Sequence, residues 1–594
     1  MKSLITKNGR WNILLSLLFV SCLTIQAQSI KWYNPMDEAA PVLHGQGWQN
    51  ELKGSYHRIP ARMESKLPAG LWNLSTNSAG EKLVFRTTSP NIYVRYVTTS
   101  NSFSMRHMPS TGMSGVDLYA VDAHGKWTNC NPKFNYSFGD TCKYSYKNLT
   151  YREQAASNGK GYEFHLYLPL YNGVKWLSIG VEEGSLMYFE KPTQEKPIVI
   201  YGTSIAQGAC ASRPGMAWTN IVERTLEHPI LNLGFSGSAH MEPEMQDLLN
   251  EVDASLFILD NMENMKAENV YESSLHCCHL LRASHPSTPI LLVEHSGQPD
   301  GVISEESVTG PAEINAELKK VYQTLQKEGM KQLYYLTMEE IGLDTESFVE
   351  GVHPNDYGMM KNAQAITKKI QEIFNEHASA LFTPCRQDRD PYNWRARHED
   401  VLRLNAKEAP DVIIIGNSIT HYFGGEPKAH IIRGQKPWEE MTKGMKVHNL
   451  GYGWDRIENG LWRIYHGELD GYEAKKVFLL LGTNNLTLNT DREIVSGMME
   501  LIQAVRERQP KAKIYQCGIM PRHGWGARVQ HINQLLQEAL ATQPNVTYIS
   551  LDEMGDADGS LKEPYRNNGG KDGTHPNEQG YEVEAKILRK YMVE

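Results

Sequence analysis

Two short segments of this sequence place a serine directly after a run of β-branched residues. Residues 198–205 read Ile-Val-Ile-Tyr-Gly-Thr-Ser-Ile, and residues 412–419 read Val-Ile-Ile-Ile-Gly-Asn-Ser-Ile. Such runs are typical of buried strands, so each segment predicts a turn that presents a serine, Ser204 or Ser418, at a strand end. A hydroxyl in that position becomes a nucleophile when a neighbouring base takes its proton.

The sequence also supplies a base and a carboxylate for each serine. About 150 residues after each one stands a His-Pro pair, and an acidic residue lies three positions before its histidine. The first pair is Glu350 with His353, and the second is Asp572 with His575. Serine, histidine and a carboxylate are the parts of a nucleophilic hydrolase, in which the histidine is the general base and the acid holds its tautomer.

Candidate oxyanion donors are clearest in the second set. Ser418 would begin a helix, where backbone N–H groups point outward. Gly451 follows another predicted strand, and Asn484 follows strand 476–481 with a neutral amide as donor. In a parallel sheet these strand ends lie along one edge, so we expect them to meet His575 there. The alternative interpretation is that Ser418 only caps its helix.

Four landmarks recur in the same order in both halves of the chain. The equivalent pairs are Ser204 and Ser418, Gly234 and Gly451, Asn264 and Asn484, and His353 and His575, separated by 214, 217, 220 and 222 residues. Because the separation changes so little, the sequence predicts a tandem duplication of one domain. The first copy then has Gly234 and Asn264 as its candidate oxyanion donors.

The elements around these residues predict an α/β fold. Continuous apolar strands alternate with amphipathic helices such as 241–251, 309–328, 359–376 and 578–592, a pattern typical of a parallel sheet covered on both faces. The first domain is predicted at 195–378, a Pro- and Arg-rich linker at 379–405 and the second domain at 406–594. The predicted strands are 197–202, 229–233, 255–260, 289–295 and 331–336, then 412–416, 446–450, 476–481, 513–519 and 545–550.

Residues 28–190 have a different pattern. Short runs with period-two alternation, such as 83–87, 92–97, 116–121 and 162–168, are separated by turn-forming residues. This pattern predicts an antiparallel β-sandwich, jelly-roll-like, placed before the first α/β domain. The region has no recognisable nucleophile set.

The N-terminal residues and the net charge limit the expected location and partners of the protein. Lys2, Lys7 and Arg10 precede an apolar run that is too short to span a bilayer, so residues 1–27 read as a secretory signal peptide. The expected location is secreted or periplasmic, with a lipid anchor at Cys22 as an alternative. A net charge of −9 disfavours nucleic acid and anionic membrane surfaces as partners. No later stretch is long and apolar enough to span a bilayer, so we expect no stable membrane insertion. The spacing of cysteine and histidine predicts no structural metal site.

The second copy resembles the SGNH (GDSL) hydrolases. Its segments Gly-Asn-Ser-Ile, Asn-Leu-Gly-Tyr-Gly-Trp-Asp, Leu-Gly-Thr-Asn-Asn and Asp-Gly-Thr-His-Pro are similar to the four ordered blocks of that family. Residues 406–594 are most similar to the branch that includes the catalytic subunits of platelet-activating-factor acetylhydrolase. The resemblance implies flavodoxin-like α/β/α domains and ester hydrolysis without metal or cofactor. It implies Ser418, Asp572 and His575 as the triad, and Gly451 and Asn484 as oxyanion donors.

The first copy is similar to bacterial SGNH domains that follow a β-sandwich, and this resemblance implies that residues 28–190 are an accessory domain. The first copy departs from the family in two blocks. Its third block reads Leu-Asp-Asn-Met-Glu-Asn-Met, in which Asn264 takes the place of the oxyanion donor. In its fourth block Glu350 stands where the family has aspartate. The longer carboxylate can still reach His353. The sequence therefore leaves two interpretations open, a working triad with Ser204 or a weakened site.

These observations lead to one functional hypothesis and two alternatives. The hypothesis is a secreted or periplasmic serine esterase that removes acetyl or other small acyl groups from carbohydrates at two candidate sites. The first alternative is a lipase or phospholipid-type acylhydrolase. The second is one active esterase domain beside a non-catalytic, glycan-binding copy. The sequence does not indicate the sugar, the acyl group or the oligomeric state.

Overall fold

The structure is a computed structural model that describes residues 29–150, 159–298, 303–376 and 381–594. The predicted signal peptide, with Cys22, lies outside the described residues. Within the described ranges, no helix combines the length and the apolar character that crossing a bilayer requires.

The N-terminal region is a β-sandwich of two antiparallel sheets, with strand orders β1-β10-β4-β8-β7 and β11-β3-β9-β5-β6, and β2 paired with β3. Side chains of both sheets share one core, so the predicted sandwich is confirmed. Cys130 and Cys142 lie in that core as free thiols. The elements are β1 (Ile30–Tyr33), β2 (Leu43–His44), α1 (Ala69–Ser75), β3 (Lys82–Thr87), β4 (Ile92–Thr98), α2 (Ser110–Met113), β5 (Asp117–Val121), β6 (Trp127–Cys130), β7 (Tyr136–Ser137), β8 (Cys142–Tyr146), β9 (Tyr162–Tyr167), β10 (Val174–Glu182) and β11 (Met187–Phe189).

The first α/β domain has a parallel sheet of order β13-β12-β14-β15-β16. This is the 2-1-3-4-5 order of flavodoxin-like folds, whose sites form at the carboxyl ends of the strands. Its elements are β12 (Ile198–Gly202), α3 (Ser204–Gln207), α4 (Trp218–Leu226), β13 (Ile230–Gly234), α5 (Pro243–Leu249), β14 (Leu256–Asp260), α6 (Ala267–Ser284), β15 (Ile290–Val293), α7 (Glu305–Lys327), β16 (Leu333–Leu336), α8 (Met338–Ile341) and α9 (Asp356–Phe374).

The second α/β domain repeats this order as β18-β17-β19-β20-β21, and a short antiparallel pair, β22 and β23, follows it. Its elements are α10 (Trp394–Lys407), β17 (Val412–Gly416), α11 (Ser418–His421), α12 (Gln435–Thr442), β18 (Val447–Gly451), α13 (Ile457–Arg463), β19 (Lys476–Leu480), α14 (Asp491–Arg508), β20 (Lys513–Cys517), α15 (Gly526–Leu540), β21 (Val546–Ile549), β22 (Arg566–Asn567), β23 (Asp572–Pro576) and α16 (Glu578–Val593).

Both sheets are buried on both faces, which is why their strands read as continuous apolar runs. Every residue of β12 and β17 is buried. One apolar core lies on each face of the first sheet, and the second sheet is covered in the same way. The predicted fold class is therefore confirmed, and each strand of both parallel sheets ends within two residues of its predicted bounds.

The segment predicted as a linker, 379–405, is partly helical. Its residues from Trp394 onward form helix α10, which places Trp394 and Val401 in the core of the second α/β domain. Arg397 is also buried, because its guanidinium donates to three backbone carbonyls. A charged residue with such partners can be buried, and composition alone does not reveal those partners.

Candidate active sites

In the second α/β domain, Ser418, His575 and Asp572 form one hydrogen-bonded chain. Ser418 Oγ lies 2.8 Å from His575 Nε2, and His575 Nδ1 lies 2.9 Å from Asp572 Oδ2. With the ring proton on Nδ1, that nitrogen donates to the carboxylate, and Nε2 is left to accept the serine proton. This is the geometry of a nucleophile, a general base and a carboxylate that orients the base.

The turn after β17 explains how Ser418 is presented. Asn417, not Ser418, caps helix α11, because its side-chain oxygen accepts the backbone N–H of Ile419 at 2.9 Å. The interpretation of Ser418 as only a helix cap is therefore wrong. In the first α/β domain, Thr203 caps helix α3 in the same way, and Ser204 is again the first helical residue.

Asp572 and His575 lie on β23, a strand of the short antiparallel pair. Asp572 Oδ1 accepts the backbone N–H groups of Thr574 and His575, both at 3.1 Å. Arg433 Nη1 lies 3.7 Å from the other carboxylate oxygen. Burial acts to raise the pKa of Asp572, but its hydrogen bonds and the charge of His575 hold that pKa well below its usual range. The carboxylate therefore stays ionised.

In the first α/β domain, Ser204, His353 and Glu350 form the equivalent chain. Ser204 Oγ lies 2.9 Å from His353 Nε2, and His353 Nδ1 is hydrogen-bonded to Glu350 Oε1. The same carboxylate oxygen accepts the backbone N–H of His353 at 3.2 Å. The longer side chain of glutamate therefore reaches the ring that aspartate reaches in the second domain.

The two glycines that the sequence analysis named as oxyanion donors direct their N–H groups to a neighbouring side chain. Gly451 N donates to Asn449 Oδ1 and Gly234 N donates to Asn232 Oδ1, both at 2.8 Å. Both glycines do end the strand next to the nucleophile strand. Each amide would therefore have to exchange its asparagine partner for an oxyanion before it could stabilise one.

The two asparagines named as side-chain donors occupy equivalent positions. Asn484 Nδ2 donates to Asp455 O at 2.9 Å, and Asn264 Nδ2 donates to Ser238 O at 2.7 Å. A side-chain amide has two N–H groups, so each asparagine keeps a second donor. The shared contact supports the alignment of Asn264 with Asn484, although the two blocks differ in sequence.

Sequence analysis missed a buried arginine that braces each site. Arg58, from the N-terminal region, and Arg397, from helix α10, both donate to carbonyls of the Asn-Leu-Gly segment that carries the glycine donor. The contacts are Arg58 with Asn232 O at 3.2 Å and Gly234 O at 2.7 Å, and Arg397 with Asn449 O at 3.1 Å and Gly451 O at 2.7 Å. Each arginine precedes its α/β sheet in the chain, so neither belongs to a recognisable block.

Each base has a further ring contact that the sequence analysis did not predict, from the β-sandwich in the first domain and from within the second domain itself. The ring of His107, from the β-sandwich, stacks on His353 with centroids 5.5 Å apart. In the second domain, the ring of Tyr422 lies 5.6 Å from His575, and its hydroxyl donates to Asp390 Oδ2 at 3.2 Å. No spacing in the sequence indicates these contacts, because their partners are far apart in the chain.

Trp454 is an exposed aromatic side chain beside the second site. Its neighbour Gly453 donates its N–H to His421 Nδ1 at 3.1 Å, and Asp455 O accepts from Asn484. Trp454 itself is 52% exposed and has a φ of +65°, a left-handed conformation that is unusual for a bulky residue. The equivalent residue of the first domain, Gly237, has a φ of +61°.

Two flavodoxin-like domains, each with a hydrogen-bonded serine, histidine and carboxylate at its carboxyl edge, define the class of serine hydrolases. A sequence model described as the GDSL-like lipase/acylhydrolase family matches residues 195–371, and a second model of that description matches residues 414–583. A model described as the N-terminus of esterases of the SGNH-hydrolase type matches residues 30–187. The chain belongs to the GDSL/SGNH hydrolase family, as a tandem ester hydrolase behind a β-sandwich.

Several known proteins are similar to this chain. Platelet-activating factor acetylhydrolase IB subunit alpha1 of Homo sapiens is 26% identical over 181 residues, which are 30% of this chain and 74% of that protein. Subunit alpha2 of Rattus norvegicus is 30% identical over 164 residues, 27% of this chain and 67% of that protein. A structure described as a GDSL-like lipase from Bacteroides ovatus covers 59% of this chain and 100% of its own, with 29% identity and a TM-score of 0.53.

Proposed function

We propose that this chain is a serine esterase with two active sites, and that each removes acetyl or other small acyl groups from carbohydrates. The observation that carries the proposal is the hydrogen-bonded chain of serine, histidine and carboxylate in both domains. A single such chain can arise by chance on a protein surface. Its recurrence at the same edge of both sheets, within one enzyme family, favours two sites of the same chemistry.

The mechanism follows from the atoms at the second site. Ser418 Oγ attacks the ester carbonyl carbon while His575 Nε2 takes its proton, and Asp572 stabilises the imidazolium that forms. In this mechanism the backbone N–H of Ser418, which has no acceptor within its own helix, and the second N–H of Asn484 are the donors to the developing oxyanion. His575 then protonates the leaving alcohol. Water, activated by the same histidine, releases the acid from the acyl-enzyme.

One observation supports a small acyl group. The acetylhydrolases to which this chain is similar belong to the same family, and their name describes hydrolysis of an acetyl group.

The carbohydrate part of the proposal is supported by Trp454 and by the setting of the protein. An indole that stands 52% exposed beside the oxyanion donors offers an apolar face on which a sugar ring can stack. The left-handed backbone that holds it is strained, and such strain concentrates at functional sites. The proposal includes export, because residues 1–27 have the composition of a signal peptide.

The test is acetate release from a panel of acetylated oligosaccharides and from an aryl acetate. Wild type is compared with Ser204→Ala, with Ser418→Ala, with the double variant and with Ser496→Ala, an exposed helical serine, as the matched control. We expect each single variant to lose part of the activity and the double variant to lose several orders of magnitude in rate. If Ser418→Ala alone abolishes all activity, the first domain is a non-catalytic copy. A double variant as active as wild type contradicts the proposal.

A further inference from the structure

The first candidate site contains a cluster of side chains with metal-binding atoms. His107, Cys210, Glu350 and His353 each offer one ligand atom, and these atoms all lie within 4.8 Å of one another. Imidazole, thiolate and carboxylate are the ligands that zinc takes in proteins, usually four at a time. The set includes two members of the triad, and its other two members have no part in the proposed ester chemistry.

The cluster is assembled from three separate parts of the chain. His107 comes from the β-sandwich and stacks on His353. Cys210 follows the nucleophile helix α3, is 5% exposed and has a φ of +68°, a left-handed conformation that is unfavourable for a non-glycine residue. The fold therefore holds a thiol beside Glu350 at a cost in backbone strain, although catalysis by Ser204 needs no thiol.

The second domain provides an internal comparison. Cys210 lies six residues after Ser204, and the residue six positions after Ser418 is Gly424. The second domain is also preceded by helix α10, so no sandwich loop delivers a histidine in the manner of His107. Within the described residues, no second group of this kind lies at Ser418. The two sites therefore share a triad and differ in the added metal donors.

We propose that the first active site binds a zinc ion through His107, Cys210, Glu350 and His353, and that the bound ion switches this site off. The inference rests on the proposed esterase function of Ser204. Bound zinc occupies a ring nitrogen of His353. Loss of Nε2 removes the base for Ser204, and loss of Nδ1 removes the contact with Glu350, so either mode stops the reaction.

The charge and proton balance of binding is simple. Burial and the charge of Glu350 raise the pKa of the Cys210 thiol to about 12, so the thiol is protonated in the metal-free protein. Zinc displaces that proton to solvent and forms a bond to the thiolate, and no electron is transferred. One thiolate and one carboxylate then balance the two positive charges of the ion.

The experiment uses two full-length variants that each keep one nucleophile. Zinc chloride is titrated into metal-free Ser418→Ala protein, which reports the first site, and into Ser204→Ala protein, which reports the second. We expect zinc to abolish esterase activity of the first protein, chelator to restore it, and the second protein to stay active at the same zinc concentration. Adding Cys210→Ala to Ser418→Ala should raise the zinc required at least about tenfold and leave basal activity in place. Cys517→Ala, a buried thiol of the second domain, is the matched control.

Cobalt chloride gives a readout that does not depend on activity. We expect a thiolate-to-cobalt charge-transfer band in the Ser204→Ala, Ser418→Ala double variant, and its loss when Cys210→Ala is added. If the band depends on Cys210 but the first site shows no esterase activity, the metal site stands and the esterase assignment of Ser204 fails. If the first site is an active esterase but has neither a Cys210-dependent band nor selective zinc inhibition, the metal site is refuted.

Discussion

In the first α/β domain the candidate base, His353, contacts the β-sandwich, whereas in the second α/β domain the candidate triad is contacted by residues of its own domain. His353 is stacked by His107 of the sandwich, but Asp572 faces Arg433 and His575 faces Tyr422 within one domain. The chain of serine, histidine and acid is nevertheless the same to within about 0.1 Å at the serine–histidine contact. Duplication has therefore left the reacting atoms in place and replaced their supports.

A second difference lies on the strand beside each nucleophile strand. Asp260 ends β14 opposite Gly202, and Leu480 ends β19 opposite Gly416. Asp260 is buried, and burial together with the charge of Glu263 raises its pKa well above the usual range, which favours its protonated form. The first domain thus has a carboxyl group at a strand end where the second has an apolar side chain. Differences in substrate between the sites should come from such neighbours rather than from the triads.

The largest expected effect comes from removing the charge of each orienting acid. We predict that Asp572→Asn in Ser204→Ala protein, and Glu350→Gln in Ser418→Ala protein, each lower kcat by about 10⁴, because the amide favours the wrong tautomer of its histidine. Steady-state kinetics on an aryl acetate measures this. Glu346→Gln, an exposed residue before Glu350, is the control. If Glu350→Gln leaves the rate of the first site unchanged, Glu350 does not orient His353 in the way that Asp572 orients His575.

The buried arginines should have the next largest effect, and each should act on its own domain. We predict that Arg58→Met and Arg397→Met each lower the free energy of unfolding by about 3 kcal/mol, because several buried carbonyls lose a charged donor. Urea unfolding measures the loss of stability. Esterase activity in Ser204→Ala and in Ser418→Ala protein shows which active site each arginine substitution affects. Arg403→Met, on an exposed face of α10, should change neither. If one arginine substitution lowered the activity of both sites equally, the claim that each arginine supports only its own domain would be wrong.

A histidine that links the two domains should make stability depend on pH. His398 is buried between Glu195 and Glu468, at 3.0 Å from each. Burial acts to lower its pKa, but hydrogen bonds to both carboxylates outweigh burial and raise the pKa to about 9. A raised folded-state pKa gives stability that is complete below the usual pKa near 6.5 and is lost as the pH rises through 9.

The expected size of that loss is about 3 kcal/mol between pH 6 and pH 9.5. Both carboxylates remain ionised across this range, since the pKa of each is lowered to about 2. The measurement is urea unfolding of wild type and His398→Gln at several pH values. Wild type should converge on the variant at high pH. Parallel profiles would mean that His398 is not charged in the folded protein.

Trp454 should show the smallest effect and sharpen the comparison with Gly237. We predict that Trp454→Gly in Ser204→Ala protein raises KM for an acetylated oligosaccharide by up to about tenfold with kcat unchanged, because a stacking surface is lost. It should also stabilise the fold by about 1 kcal/mol, because glycine relieves the left-handed backbone. The same substitution in Ser418→Ala protein is the control and should leave the first site unchanged. An unchanged KM would remove Trp454 from the substrate site.

The strands, the duplication and the residues of both chains of serine, histidine and acid were predictable, because they rest on local patterns. A buried parallel strand appears in the sequence as a continuous apolar run, and the segments that resemble the family's blocks stand at the ends of such runs. The supports were not predictable, because they join positions far apart in the chain. Charged side chains are usually exposed, so the sequence predicts that Arg58 and His398 face solvent. Only their hydrogen-bond partners in the structure explain why both are buried. Asn417 was missed as the cap because capping depends on backbone angles, not on residue type alone.

The central claim is that one chain holds two activated serines. The most direct measurement is intact mass after reaction with an alkyl fluorophosphonate, which phosphonylates an activated serine hydroxyl and releases fluoride. The account predicts two adducts on wild type, one on each of Ser204→Ala and Ser418→Ala, and none on the double variant. A single adduct on wild type that disappears in Ser418→Ala would contradict the account and leave the first domain as a scaffold.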